Sequence, residues 1–169
     1  MPLGDPRKGP VVLGSVVDMS TVERCNALIG DALAKGATLV CGGESETTLM
    51  PATLLDRVTA NMRIYHDESF GPVKPIVRVR GEEAAIACAN DNEYGLSAAV
   101  FSRDAARALN VAKRIESGIC HVNGPTVHDE AQMPFGGVKA SGFGRFGGKA
   151  GIAEFTDLRW VTLQTTPRH

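Results

Sequence analysis

The chain has 169 residues, enough for one domain with a sizeable buried core, and its 43% hydrophobic and 22% charged residues are those of an ordinary globular protein. A formal net charge of −1 leaves no basic excess of the kind nucleic-acid binding demands. No apolar run approaches the roughly 18 residues of a membrane helix, and residues 1–10 lead into no apolar stretch of the signal-peptide kind, so neither a nucleic acid nor a membrane is expected as partner.

A helix is predicted from Ser20, with Val22, Cys25, Leu28, Ile29, Ala32 and Leu33 at helical spacing. Glu23 completes a capping box with Ser20, and Gly36 supplies the stop. Thr38-Leu39-Val40-Cys41 reads as a short strand ended by Gly42-Gly43. Residues 49–58 read as extended, with Pro51 favouring an edge or a strand start, and residues 73–79 as a second strand that Pro75 makes irregular. A helix at 82–90, a strand at 96–101, a helix from the Asp104 cap to about Ile115 and a strand at 119–122 follow. A short helix at 147–155 and a final strand at 158–163 complete the series. Helices alternating with short apolar strands predict an α/β fold, a largely parallel sheet with flanking helices, and no domain boundary stands out.

Cys25, Cys41, Cys88 and Cys120 are widely spaced and form no Cys-x-x-Cys pair, and His66, His121, His128 and His169 show no metal-ligand spacing with them. Free thiols in a reducing cytoplasm, and no metal, are the expectation.

Two segments carry chemistry. Gly142-Phe143-Gly144-Arg145-Phe146-Gly147 matches the dinucleotide fingerprint letter for letter. It follows no strand, however, and Glu154 and Asp157 come too early to serve as its ribose acid, so a loop packed against another backbone is expected instead. Glu68 and Phe70 precede the Gly71-Pro72 turn into a strand. There a carboxylate can accept two ribose hydroxyls and a phenyl face can stack on a flat heteroaromatic ring. A helix-end charge beside a core Phe is the other reading, and these residues alone leave both open.

Residues 3–163 resemble the C-terminal third of an aldehyde dehydrogenase. The resemblance rests on Leu3-Gly4-Asp5-Pro6, Ala34-Lys35-Gly36-Ala37 before Gly42-Gly43, Glu68-Ser69-Phe70-Gly71-Pro72-Val73 and Asn92-Glu93-Tyr94-Gly95-Leu96-Ser97-Ala98. Gly118-Ile119-Cys120-His121-Val122-Asn123 and Pro134-Phe135-Gly136-Gly137-Val138-Lys139-Ala140-Ser141-Gly142 follow in the same order. Asn123-Gly124-Pro125-Thr126-Val127-His128-Asp129-Glu130 is most similar to the benzaldehyde, salicylaldehyde and vanillin dehydrogenase branch.

The resemblance implies oxidation of an aromatic aldehyde to a carboxylic acid with NAD or NADP. Glu68 would bind the ribose beside nicotinamide and Phe70 would lie against the nicotinamide. Val127, His128 and Phe135 would border the aldehyde tunnel, with a solvated loop residue as the other reading of His128. It also implies a homo-oligomer, residues 1–157 forming part of the catalytic domain and residues 158–169 an oligomerisation strand and tail.

The family's nucleophilic cysteine, preceded by Gly-Gln-x, should lie upstream of Leu3, and its general-base glutamate and nucleotide domain have no counterpart here. Cys120 and His121, adjacent on a strand, should face opposite ways. No catalytic residue is therefore expected in this chain, and a non-catalytic assembly module is the alternative.

Overall fold

Asp18, rather than Ser20, starts the first helix, α1 (Met19–Ala34). Its carboxylate accepts the backbone N–H of Thr21 at 2.8 Å and also the Ser20 hydroxyl at 2.8 Å. An ionised acceptor at the positive end of the helix outcompetes a hydroxyl, and it converts Ser20 from a cap into a donor. At the other end Gly36 behaves as predicted. It takes φ 97°, and a Schellman closure runs from Gly36 N–H to the Leu33 carbonyl at 3.1 Å and from Ala37 N–H to the Ala32 carbonyl at 2.9 Å.

The structure, a computed structural model, describes residues 1–166 and divides into two compact units, Met1–Arg80 and one beginning at Gly81. This boundary is invisible in the sequence because composition does not change across it.

In the first unit, Cys25, Leu28, Ile29 and Ala32 of α1 pack with Met50, Leu55, Val58, Met62 and Val73, and with Ile64 of the one-turn helix α2 (Arg63–His66). β1 (Thr38–Cys41), β2 (Thr53–Asp56) and β3 (Val73–Ile76) form a sheet in that order, with β1–β2 antiparallel and β2–β3 parallel. Pro75 lies opposite Leu55 in β3, an edge strand, where a missing N–H is tolerated. The strand expected to reach Val79 ends at Ile76.

Beyond it, Arg78 reaches back to Asp56, which is only 7% exposed at the end of β2. Arg78 Nε lies 2.8 Å and its terminal nitrogen 2.5 Å from the two carboxylate oxygens. This forked guanidinium holds the Asp56 carboxyl down at about 2.

α1 also fixes the segment leading into β3. The Ser69 carbonyl accepts from Arg24 Nε at 3.0 Å and from Cys25 Sγ at 3.5 Å. A Cβ on Gly71 would collide with that same sulfur, so only glycine lets the segment come this close.

The second unit comprises α3 (Glu82–Asn90), β4 (Tyr94–Gly95), β5 (Ser97–Val100), α4 (Ala105–Ala112), β6 (Ile119–Val122), β7 (Val138–Lys139) and α5 (Gly148–Glu154). Asp104 caps α4 by accepting Arg107 N–H at 2.9 Å. β5 and β6 pair in parallel, β4 and β7 antiparallel, so the α/β class holds while the pairing is mixed.

Residues 158–163 join no ladder among the described residues, contrary to expectation, and Leu158 and Trp160 are 102% and 91% exposed. A strand needs a second backbone to satisfy its N–H and C=O groups, and this segment has strand composition without one. The last three residues of the expected 158–169 tail lie outside the described residues.

The packing of the first unit can be tested at two points. Because Asp56 titrates near 2 when folded and near 3.9 when unfolded, its ion pair stabilises the chain above about pH 4, and that contribution fades as pH falls toward 2. Arg78→Gln should therefore flatten the acid limb of the thermal midpoint measured between about pH 5 and 2; an unchanged limb would show that the pair carries no weight. Gly71→Ala should cost about 1–3 kcal/mol in urea unfolding through overpacking, and much less in a Cys25→Ala background that removes the opposing sulfur. An equal cost in both backgrounds would rule out the sulfur contact as its cause.

Candidate active site

The loop after α2 presents its two side chains to solvent. Asp67, paired with Arg63 at 3.1 Å, is the helix-end charge, and Glu68 stands exposed one residue beyond it. Phe70 is 75% exposed, which removes the core-Phe reading. Its φ of 46° is a left-handed conformation that an aromatic residue adopts only when its surroundings impose it. Those surroundings are the α1 contacts on either side, together with the Ser69 hydroxyl, which lies 3.3 Å from each of the Gly71 and Val73 carbonyls. The result is a carboxylate and a phenyl face held out on a fixed backbone. Its chemistry suits a ribose diol beside a planar cation or ring.

In the second unit a cavity of about 320 Å³ opens between β6 and the loop that follows it. Ile119 and His121, two apart on β6, line one side, and His128, Asp129, Glu130, Met133 and Phe135 line the other. His128 and Phe135 thus share one cavity. Val127 is 92% exposed and is not among the residues lining it.

The His121 and His128 rings meet edge to face, with centroids 5.7 Å apart. His128 Nε2 lies 3.6 Å from a Glu130 carboxylate oxygen, while His121 Nε2 is buried without a hydrogen-bond partner. The sequence presents His121 only as a candidate base for Cys120. The alternation of a strand also places His121 on the face of Ile119, which is the signal that points to the cavity wall. A larger, mostly apolar hollow of about 620 Å³ in the first unit, lined by residues such as Leu3, Leu13 and Leu54, has no acid or aromatic side chain in its wall.

The glycine-rich segment is interlocked with other backbone at Gly118 and Gly147, while Gly142 faces open space. A Cβ on Gly118 would run into the Gly136 carbonyl oxygen, and one on Gly147 would run into that of Met133. Phe135 and Phe146 exchange backbone hydrogen bonds of 2.8 and 2.7 Å, and Arg145 donates to the Gly137 and Gly144 carbonyls. The segment is packed against other backbone, as the fingerprint's poor context predicts. The same contacts hold Phe135 against the cavity.

The four cysteines are free thiols. Burial pushes the Cys25 and Cys120 thiols up, the opposite of what a nucleophile needs. Cys120 lies between Ile119 and His121 on β6 and is not among the cavity's lining residues. Cys41, exposed on β1, lies 3.6 Å from the Ala52 carbonyl.

Among the described residues no helix is long and apolar enough to cross a membrane, and no cluster of three metal-ligating side chains occurs.

Vanillin dehydrogenase of Pseudomonas fluorescens is 64% identical over 166 residues, covering 98% of this chain and 34% of that protein. Benzaldehyde dehydrogenase [NAD(+)] of Pseudomonas putida is 39% identical over 166 residues, again covering 98% of the chain and 34% of the relative. The crystal structure of a salicylaldehyde dehydrogenase from Pseudomonas putida G7, complexed with salicylaldehyde, superposes with a TM-score of 0.94 at 48% identity, covering 100% of this chain and 35% of that one. The chain thus spans about a third of the length of these relatives. The pattern of the aldehyde dehydrogenase family matches residues 1–161, and the chain belongs to that family.

Proposed function

We propose that this chain supplies the nicotinamide-side and aldehyde-side contacts for NAD(P)-dependent oxidation of an aromatic aldehyde to a carboxylic acid. The observation that carries the reading is the pair Glu68 and Phe70, exposed on a backbone that α1 holds fixed. Glu68 accepts the vicinal hydroxyls of the nicotinamide ribose, and Phe70 lays its face against the ring. When bound, NAD or NADP provides the acceptor for the hydride that leaves the aldehyde carbon. His128 and Phe135 contact the aldehyde in the cavity, and exposed Val127 meets it at the entrance.

Carboxylate formation also needs a thiolate to attack the aldehyde carbon and a base to activate water. Burial raises the Cys25 and Cys120 thiols and none of the four cysteines follows a Gly-Gln-x, so the chain's part is to bind and orient. Residues 1–157 contribute this binding surface to the catalytic domain, and residues 158–169 pair with a second copy, which makes a homo-oligomer working in the cytoplasm.

Three outcomes test the reading. The 169-residue chain mixed with NAD and benzaldehyde should form no NADH above a protein-free control; a rate lost on thiol alkylation would contradict this.

Fused to the upstream two-thirds of the Pseudomonas fluorescens vanillin dehydrogenase, the chain should support turnover. Glu68→Gln should then raise KM for NAD by roughly 10-fold or more, through loss of charge-assisted hydrogen bonds. An unchanged KM would remove Glu68 from the cofactor site. Light scattering should report more than one chain per particle, shifting toward monomer or insolubility when residues 158–169 are deleted; a monomer in both cases would exclude the assembly role.

A further inference from the structure

We propose that His121 is a specificity-determining residue that reads a hydroxyl substituent on the ring of an aromatic aldehyde, a role that rests on the cavity being the aldehyde site. His121 is anchored in β6, paired in parallel register with Ala99 of β5, so its backbone is fixed by the sheet. Its ring lines the cavity of about 320 Å³, a volume suited to a single-ring ligand. Its Nε2 is buried and has no partner, an arrangement proteins rarely leave standing because an unmade buried hydrogen bond is costly.

The rest of the wall sorts a ligand by polarity. Ile119, Met133 and Phe135 offer apolar contact to a benzene ring, and the His121 imidazole offers a polar contact from the strand side. A neutral imidazole both donates and accepts, which matches a hydroxyl and nothing on an unsubstituted ring. Asp129 and Glu130 also face the cavity and disfavour a phenolate, so the species recognised is the neutral phenol.

His128 is the movable cover. It meets His121 edge on, belongs to the loop after β6 and has a side chain 57% exposed, tied at 3.6 Å to the equally open Glu130. When it swings aside, the ligand hydroxyl takes the place beside Nε2. In the free protein that nitrogen is already unpaired, so an isosteric methyl group leaves the protein's hydrogen bonding unchanged while a hydroxyl completes it.

The test uses the 169-residue chain with its histidines isotope-labelled. 2-Hydroxy- and 4-hydroxybenzaldehyde are each titrated beside the matching methylbenzaldehyde, and the imidazole C–H resonances are followed by NMR. At least one hydroxyl isomer should bind about 3–10-fold more tightly than its methyl isostere, the range of one neutral hydrogen bond. His121→Phe should abolish that preference, bringing the ratio of the hydroxyl and methyl compounds' Kd values to about one. His121→Gln, which restores a polar group, should keep part of the preference, and it serves as the reporter if the Phe variant fails to fold.

Equal binding of hydroxyl and methyl compounds, or a preference that survives His121→Phe, overturns the role of His121 and leaves the aldehyde cavity intact. If no aldehyde moves the His121 and His128 resonances, both the cavity assignment and the role of His121 fall.

Discussion

The Ser69 carbonyl is the point on which the loop carrying Glu68 and Phe70 depends. Arg24 and Cys25, adjacent on α1, both donate to it, at 3.0 and 3.5 Å. One residue in each direction from that anchor are Glu68 and Phe70, whose side chains face solvent. A loop so exposed would ordinarily sample many conformations, and Phe70 in a left-handed conformation would be among the first to relax. It is kept there because Gly71 lies against Cys25 with no room for a side chain, so the buried face of α1 templates the backbone. The position of a surface carboxylate is therefore set by core packing, and changes to α1 that never touch a ligand should be felt at Glu68.

The second unit solves its positioning problem largely through backbone-to-backbone contact. Gly118, just before β6, lies against Gly136, so the start of the cavity-lining strand and the turn after Phe135 meet backbone to backbone. Arg145 then closes the turn through two carbonyls, at 2.8 Å to Gly137 and 2.7 Å to Gly144. Of the glycines that look like a phosphate motif, Gly147 lies against the Met133 carbonyl, while Gly144 faces the Glu154 carboxylate and Gly142 faces open space. At Gly118, Gly136 and Gly147 carbonyl oxygens occupy the space where Cβ atoms would be, and Phe135 is fixed by its paired bonds to Phe146 rather than by burial of its ring.

What is legible in the sequence and what is hidden divide along the range of the interactions. The apolar face of α1, the Gly36 stop, the span of α3 and the limits of β6 depend on neighbours within a turn or two, and periodicity exposes them. The Asp18 cap is hidden because two acceptors within two residues compete and only charge decides between them. The division at Gly81 is hidden because no residue type marks it beyond one glycine with φ 84°. Residues 158–163 have the right composition for a strand, but composition cannot supply a partner. Glu68 and Phe70 are undecided by their own chemistry and stand out only through resemblance; the 75% exposure of Phe70 shows that its ring lies outside the core. His121 is inconspicuous in the sequence because its significance comes from His128, which reaches it through a loop rather than through strand or helix spacing.

The thiol chemistry follows from the same packing. A nucleophilic cysteine needs its thiolate stabilised by a cation, a helix N-terminus or a base. Cys25 has the contrary role. Its sulfur donates to the Ser69 carbonyl, which requires the protonated form, and burial raises its pKa further. Ionising it would set a negative charge against a carbonyl oxygen and weaken the anchor that orders Glu68 and Phe70. Cys120 is likewise raised by burial, and it alternates with Ile119 and His121, the two β6 residues that line the cavity. Cys25 and Cys120 are thus held neutral by the packing that surrounds them.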